Sequence, residues 1–177
     1  MRWLTSDMHY FHAKIIEYCN RPFFSVETMN AVMVANWNLV VNNDDVVYVV
    51  GDVSFGTTEQ TKDVLSQLVG RKILILGNHD KGRTKLQWMR LGFEQVVDYM
   101  EIQLGRFTPT LCRYPDNPST GHFLRLPSSN GQPLLCGHVH NGWKVRGKII
   151  NVGVDVWDFT PVSEETILNL LEALHVK

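Results

Sequence analysis

The sequence predicts an α/β fold with a parallel core sheet, because strand-like and helix-like segments alternate along its first half. Three runs are rich in apolar and β-branched residues and end in polar ones: 3–7, 46–52 and 72–80. Apolar residues on both faces are typical of strands that are covered on both sides. Helical periodicity lies between these runs, over about 26–39 and 57–69. Strand, helix and strand in this order predict a βαβ core.

The remaining elements are predicted from local signals. Thr57 and Gln60 have the spacing of a capping box at the start of the helix over 57–69. A short helix is predicted over about 84–91, ending at Gly92. From Phe93 onward, four β-like pieces predict a second sheet: 93–104, 106–114, 133–140 and 148–156. Ile167, Leu171 and Leu174 recur at helical spacing and predict a closing amphipathic helix after Ser163. Residues 115–133 contain four prolines and predict a mobile surface loop.

Composition limits the class of protein. The 177 residues are 44% hydrophobic and 20% charged, which predicts a single globular domain over residues 1–177. A formal net charge of −1 gives no general attraction to nucleic acid or to an anionic membrane. The apolar runs are far shorter than the ~20 residues that span a bilayer, and Asp7 precedes any apolar core of a signal peptide. We therefore expect a cytoplasmic protein, with Cys19, Cys112 and Cys136 as buried thiols.

Polar residues with metal-binding side chains follow the predicted strands. They lie in the segments Asp7–His9, Gly51–Asp52 and Gly77–Asp80, and Gly137–His140 repeats the pattern after a β-like run. The carboxyl ends of neighbouring strands in an open α/β sheet face one crevice, so these segments should converge. Strand alternation would also point Asp7 and His9 to the same side. Oxygen and nitrogen donors without sulfur favour manganese, iron, nickel or zinc.

The motifs D-x-H, GD, GNHD and GHVH, in this order, resemble the calcineurin-like metallophosphoesterase superfamily. The segments 12–23 and 151–163 are also similar to a compact, stand-alone branch of that superfamily. The resemblance implies a four-layer αββα sandwich, in which two mixed β-sheets are flanked by helices and the metal site lies at the strand carboxyl ends. It also implies one or two divalent metal ions per chain, with manganese favoured.

Site residues follow from the resemblance position by position. Asp7, His9, Asp52 and His140 would hold the first metal, and Asp52 as a bridge, Asn78 and His138 would hold the second. His79 would protonate the leaving oxygen, or steady the transition state, after water made acidic by the ions attacks phosphorus. Asp80 would orient His79.

One position departs from the pattern. The superfamily usually places a second-metal histidine before Tyr-Pro, where this chain has Arg113. A guanidinium stays protonated and offers no lone pair, so we expect the second site to be weakened. Three interpretations stay open: a labile second metal, Arg113 as a clamp on substrate phosphate that partly replaces that metal, or an altered and poorly active site. His122 is a less favoured substitute ligand.

Three further residues are candidates for substrate binding, each with a structural alternative. Arg83 lies just after the GNHD segment, Arg21 lies in a segment that rims the site by resemblance, and His12 follows His9 by three residues. The alternatives are a solvated helix start, a surface arginine and a structural histidine. Phe55 and Trp143 are aromatic residues close to ligand segments. Asn151 could anchor the GHVH loop, while Asp155 and Asp158 are interpreted as structural.

The sequence therefore predicts a metal-dependent phosphoesterase acting on a phosphomonoester or phosphodiester, such as a nucleotide or cyclic nucleotide. A non-catalytic binding or scaffold protein on the same fold is the alternative, and a nuclease is a lesser one. The expected partner is a small phosphorylated molecule. Neither a membrane nor a stable nucleic-acid complex is expected, and the sequence leaves the oligomeric state open.

Overall fold

A computed structural model describes residues 1–115 and 132–175. It confirms the predicted fold class, with two five-stranded mixed sheets and flanking helices. Most of the predicted loop over 115–133, including His122, lies outside the described residues.

The first sheet has the strand order β10-β1-β2-β3-β4. Its strands are β1 (Arg2–Thr5), β2 (Val46–Val49), β3 (Arg71–Ile75), β4 (Gln95–Val97) and β10 (Val162–Ser163). The pairings β1 to β2, β2 to β3 and β3 to β4 are parallel, and β10 is antiparallel to β1. The parallel strands therefore share one carboxyl edge.

The second sheet has the order β5-β6-β7-β9-β8. Its strands are β5 (Tyr99–Glu101), β6 (Thr110–Cys112), β7 (Leu134–Cys136), β8 (Val145–Arg146) and β9 (Ile149–Asn151). The central pairings, β6 to β7 and β7 to β9, are parallel. The prediction that the whole β-like piece 93–104 belongs to this sheet was wrong for β4, which pairs with β3 because it completes the crossover that the preceding helix makes.

The helices within the described residues are α1 (Lys14–Tyr18), α2 (Val26–Val40), α3 (Thr58–Gln67), α4 (Lys85–Arg90) and α5 (Glu164–His175). Thr57 with Gln60 forms the predicted capping box of α3, and Thr84 with Gln87 forms another at α4. None of the described helices has the length and apolar character needed to cross a membrane.

Two apolar cores follow from side-chain alternation along the central strands. Val47 and Val49 of β2 pack with the buried residues of α2, α3 and α4. Tyr48 and Val50 point to the opposite face and pack with residues of the second sheet and of α5. The first sheet is thus covered on both faces, which explains its nearly continuous apolar strands. All three cysteines are buried, as predicted.

Candidate metal centre

Residues from both sheets meet at the carboxyl ends of the parallel strands. Each predicted site segment follows its strand within a few residues: Asp7 after β1, Asp52 after β2, Asn78 after β3, Arg113 after β6 and His138 after β7. Because the first sheet packs on the second, these strand ends open to a common space. The convergence predicted from the motif order is therefore present in the fold.

The backbone at this edge is bent into an uncommon conformation. Asp7, His9, Asp52, His138 and His140 all have positive φ, between 48° and 74°. Such angles are rare for residues other than glycine and are concentrated at functional sites. The strand alternation expected for Asp7 and His9 was wrong, because β1 ends at Thr5 and both residues lie in the turn beyond it. Left-handed turns, rather than an extended strand, direct these side chains.

Three side chains, those of Asp7, His9 and His140, place donor atoms within 4.8 Å of one another, and an Asp52 oxygen lies beside His9. His9 Nε2 lies 3.8 Å from Asp7 Oδ1 and 3.6 Å from Asp52 Oδ2. His140 Nε2 lies 3.7 Å from the same Asp7 oxygen. Donors that share one ion at about 2.1 Å lie about 3.0–3.5 Å apart, so a small contraction would close this set around a cation.

The state of His9 fits a metal ligand. It is 2% exposed, and neither ring nitrogen has a hydrogen-bond partner in the described part of the chain. Burial lowers the pKa of His9 to about 4, although Asp7 opposes this shift. The imidazole is therefore neutral near pH 7 and keeps a lone pair. Buried polar groups normally have a partner, and a cation bound here would be the partner of this lone pair.

His140 is held from behind by a carboxylate. Its Nδ1 lies 3.0 Å from Asp155 Oδ2, which leaves Nε2 free to point toward Asp7. Asp155 in turn accepts two hydrogen bonds from Arg21, at 2.7 and 3.0 Å. Carboxylates that orient a metal-binding histidine in this way fix its tautomer and its ring. From the sequence, Asp155 is interpreted as structural. Its contacts with Arg21 and His140 show that it also orients His140.

Arg21 lies inside this network rather than at the surface. Its side chain is buried, and its guanidinium also donates to the carbonyl oxygens of Asp7, at 2.7 Å, and Met8, at 3.1 Å. Substrate contact was expected for Arg21. In the structure its donors hold the strained turn that carries Asp7, together with Asp155.

Asp80 ties two ligand turns together. We expected it to orient His79, but its carboxylate accepts hydrogen bonds from the backbone N–H groups of Asp52 and Gly77, both at 2.8 Å, and of Val53, at 3.0 Å. Burial nevertheless raises the pKa of Asp80. The contacts place the carboxylate against the backbone of the turns after β2 and β3, where it fixes Asp52.

Arg113 occupies the centre of the site. Its side chain is 3% exposed, and Nη1 donates to Asp7 Oδ1 at 2.6 Å and to Ser6 Oγ at 3.2 Å. Nη2 donates to Asp52 Oδ2, and Nε donates to Asn78 Oδ1 at 3.1 Å. Three candidate ligands therefore each give one oxygen to this guanidinium. Ser6 was missed because a serine at a strand end carries no distinctive pattern.

The two central carboxylates respond differently to this environment. Burial opposes ionisation of Asp7, but Arg113 and His9 outweigh it and hold the pKa of Asp7 below its usual range. Burial raises the pKa of Asp52 to about 6 against the effect of Arg113, and the neighbouring Asp7 carboxylate adds to the rise. The site thus carries a negative charge that a single guanidinium does not fully balance.

The other two predicted second-metal ligands have separate contacts. Asn78 Oδ1 is bonded to Arg113. His138 contributes its backbone N–H, which donates to Asp7 Oδ2 at 3.0 Å, while its exposed ring packs edge-on against Tyr114. Asn151 donates to the carbonyl oxygens of His140 and Trp143, which confirms that it anchors this loop.

Aromatic rings flank the histidines. Phe55 is 42% exposed and stacks on His12, with ring centroids 4.1 Å apart, and on His9, at 5.3 Å. Burial lowers the pKa of His12. Trp143 instead packs against a small apolar cluster on the second sheet. Phe55 and His12 therefore form one wall beside the donor set.

Arg83 stands apart from the donor set in its contacts. Its Nη2 donates to the carbonyl oxygen of Gly56 at 2.8 Å, and its guanidinium lies 5.1 Å from the centre of the Trp88 ring. These contacts brace the turn after β2 against α4. Substrate binding by Arg83 stays a prediction.

A model of the family described as calcineurin-like phosphoesterase matches residues 2–157. The chain belongs to the calcineurin-like phosphoesterase family. The match covers every residue of the candidate centre, and the resemblance seen in the motifs is confirmed. Membership implies divalent metal ions, for which the structure offers the Asp7, His9 and His140 donors.

Similar proteins share the length of this chain. An uncharacterized protein of Methanocaldococcus jannaschii is 35% identical, over 96% of this chain and 90% of its own. The Gene 66 protein of Mycobacterium phage L5 is 32% identical, over 98% and 95%. A crystal structure of a protein of unknown function from Aquifex aeolicus matches with a TM-score of 0.73 and 27% identity, over 96% of this chain and 98% of that one.

Proposed function

We propose that this family member is a metal-dependent hydrolase of small phosphomonoesters or phosphodiesters, such as nucleotides or cyclic nucleotides. The proposal rests on the donor atoms of Asp7, His9 and His140, which lie within 4.8 Å of one another. His9 Nε2 has no hydrogen-bond partner in the described part of the chain, and an Asp52 oxygen lies 3.6 Å from it. A divalent cation held there would make a water molecule acidic and would polarise a phosphoryl oxygen.

His79 is the proposed proton donor to the leaving oxygen. Its side chain is exposed, and its ring centroid lies 5.7 Å from that of His9 and 4.9 Å from that of Phe55. Its backbone N–H donates to Asp52 Oδ1 at 3.0 Å, so the residue is fixed beside a metal ligand while its ring stays accessible. Positioned acids of this kind contribute about 10²–10⁴-fold to a reaction.

Arg113 supports a second candidate function, a non-catalytic binding or scaffold protein on this fold. Its guanidinium takes oxygens that a second metal would need. The buried His9, which has no partner within the described residues, favours catalysis instead, because a scaffold has no need for an unsatisfied imidazole. A nuclease is less favoured at a net charge of −1, although basic residues near the centre leave local attraction to phosphates.

The test is hydrolysis of p-nitrophenyl phosphate and of bis-p-nitrophenyl phosphate by protein loaded with Mn²⁺. We expect turnover that EDTA abolishes and Mn²⁺ restores. His79→Ala should lower kcat by about 10²–10⁴-fold while Mn²⁺ still binds, and Phe24→Ala, at a fully exposed position, is the control. No turnover with either ester, or turnover that EDTA leaves unchanged, would reject the proposal.

A further inference from the structure

We infer that the Arg113 guanidinium is the second cation of this centre, so that the protein holds one metal ion per chain. This inference rests on the proposed metal site. A fixed guanidinium takes the place of the labile second metal that the sequence left open, so the inference concerns the number of bound metal ions rather than turnover.

Arg113 donates hydrogen bonds to oxygen atoms that would otherwise coordinate a metal ion. Asp7, Asp52 and Asn78 each present one oxygen to it, and all three atoms belong to the predicted ligand set. A guanidinium has five N–H donors, and four of them are used by these residues and Ser6. The side chain is 3% exposed, so a phosphate clamp would have at most one further N–H to offer.

The surrounding backbone is shaped around this side chain. A Cβ atom on Gly137 would lie 2.7 Å from Arg113 Nη1, and one on Gly51 would lie 3.0 Å from Arg113 Cδ. The absence of side chains at these two glycines leaves the room that the arginine fills. Arg113 is therefore built into the centre, and does not reach into it from a mobile surface position.

Within the described residues, the donor atoms of Asp7, His9 and His140 form a group that suits one ion. Asp7 Oδ2 accepts the His138 N–H, and Asp52 Oδ1 accepts the His79 N–H. Asp7 Oδ1 and Asp52 Oδ2 face the guanidinium on one side and His9 Nε2 on the other. These two oxygens can therefore bridge one metal ion and Arg113, much as they would otherwise bridge two metals. A second divalent ion would have to displace the Arg113 guanidinium, whose positive charge repels it.

The test is titration of the metal-free protein with Mn²⁺, monitored by calorimetry and by electron paramagnetic resonance. The wild type should bind 1 Mn²⁺ per chain and show an uncoupled spectrum. Arg113→His should bind 2 and show exchange coupling between neighbouring ions. Arg106→His, at an exposed arginine, is the matched control and should bind 1.

Two outcomes would overturn the inference: 2 coupled ions in the wild type, or 1 ion in a folded Arg113→His. Should Arg113→His fail to fold, the number of Mn²⁺ ions bound by the wild type decides. Arg113→Lys keeps a positive charge at this position and should also bind 1 Mn²⁺ per chain. Ester hydrolysis is measured on the same samples. One bound ion without turnover would reject the proposed function and leave the inference standing. Two bound ions with turnover would reject the inference and leave the proposed function standing.

Discussion

Replacing Arg113 by methionine removes the positive charge from the centre and keeps most of the side-chain volume. Asp7 and Asp52 are fully buried, and each loses its ion pair in the variant. Removing one partner of a buried pair typically costs about 3–5 kcal/mol. For a chain of this size, that corresponds to a fall in Tm of about 6–20 °C.

The assay is urea and thermal unfolding in EDTA, followed by circular dichroism. Arg106→Met is the matched control, because its pair with Glu172 is about half exposed and such pairs contribute only about 0–1 kcal/mol. An Arg113→Met protein that unfolds at the same urea concentration as the wild type in EDTA would refute the idea that the guanidinium stabilises the two buried carboxylates.

The pH dependence of the variant has a definite sign. Burial already raises the pKa of Asp52 to about 6 while Arg113 lowers it, so removing Arg113 should raise it further. A carboxyl whose pKa is higher in the folded state than its unfolded value near 3.9 loses stability as pH rises between the two values. The defect of Arg113→Met should therefore shrink between pH 7 and pH 5, and a defect that grows on acidification would contradict this reasoning.

Three further predictions concern the metal and its surroundings. Asp155→Asn should weaken Mn²⁺ binding by about 10–100-fold in calorimetry, because His140 loses its orienting carboxylate; the control Asp158→Asn should bind as the wild type does. Mn²⁺ at 100 times its Kd should stabilise the wild type by about 2.7 kcal/mol in thermal unfolding, and His9→Ala should lose most of this gain. Gly137→Ala would place a Cβ 2.0 Å from Ser6 Oγ and should destabilise the protein by about 1–3 kcal/mol. Gly82→Ala, with open space around it, should be neutral in the same urea titration.

The strand ends and their order were predictable from sequence because they depend on local pattern. Apolar runs that stop at Asp7, Asp52 and Asn78 indicate where parallel strands present their carboxyl ends, whatever the rest of the chain does. Motif order then identified the family, which the match over residues 2–157 confirms. The assignment of β4 to the second sheet failed because a three-residue strand carries too little pattern to select its partner.

The contacts within the centre were not predictable in the same way. Arg21 and Asp155 are 134 residues apart, and nothing local to either shows that they pair. Asp80 binds backbone N–H groups of the turns after β2 and β3. The first of these turns has positive φ, which the sequence does not reveal at a non-glycine residue such as Asp52. Arg113 was recognised as a departure from the pattern, but only the packing around Gly51 and Gly137 shows where its guanidinium lies.

We propose that one cation binds between His9 and His140 beside a guanidinium that remains in place. Anomalous scattering at the manganese edge, from crystals of the wild type grown with Mn²⁺, tests it most directly. We expect a single peak within about 2.2 Å of His9 Nε2 and His140 Nε2, with Arg113 still bonded to Asp7 and Asp52. Two peaks, or one peak between Asn78 and His138 with Arg113 displaced, would contradict it.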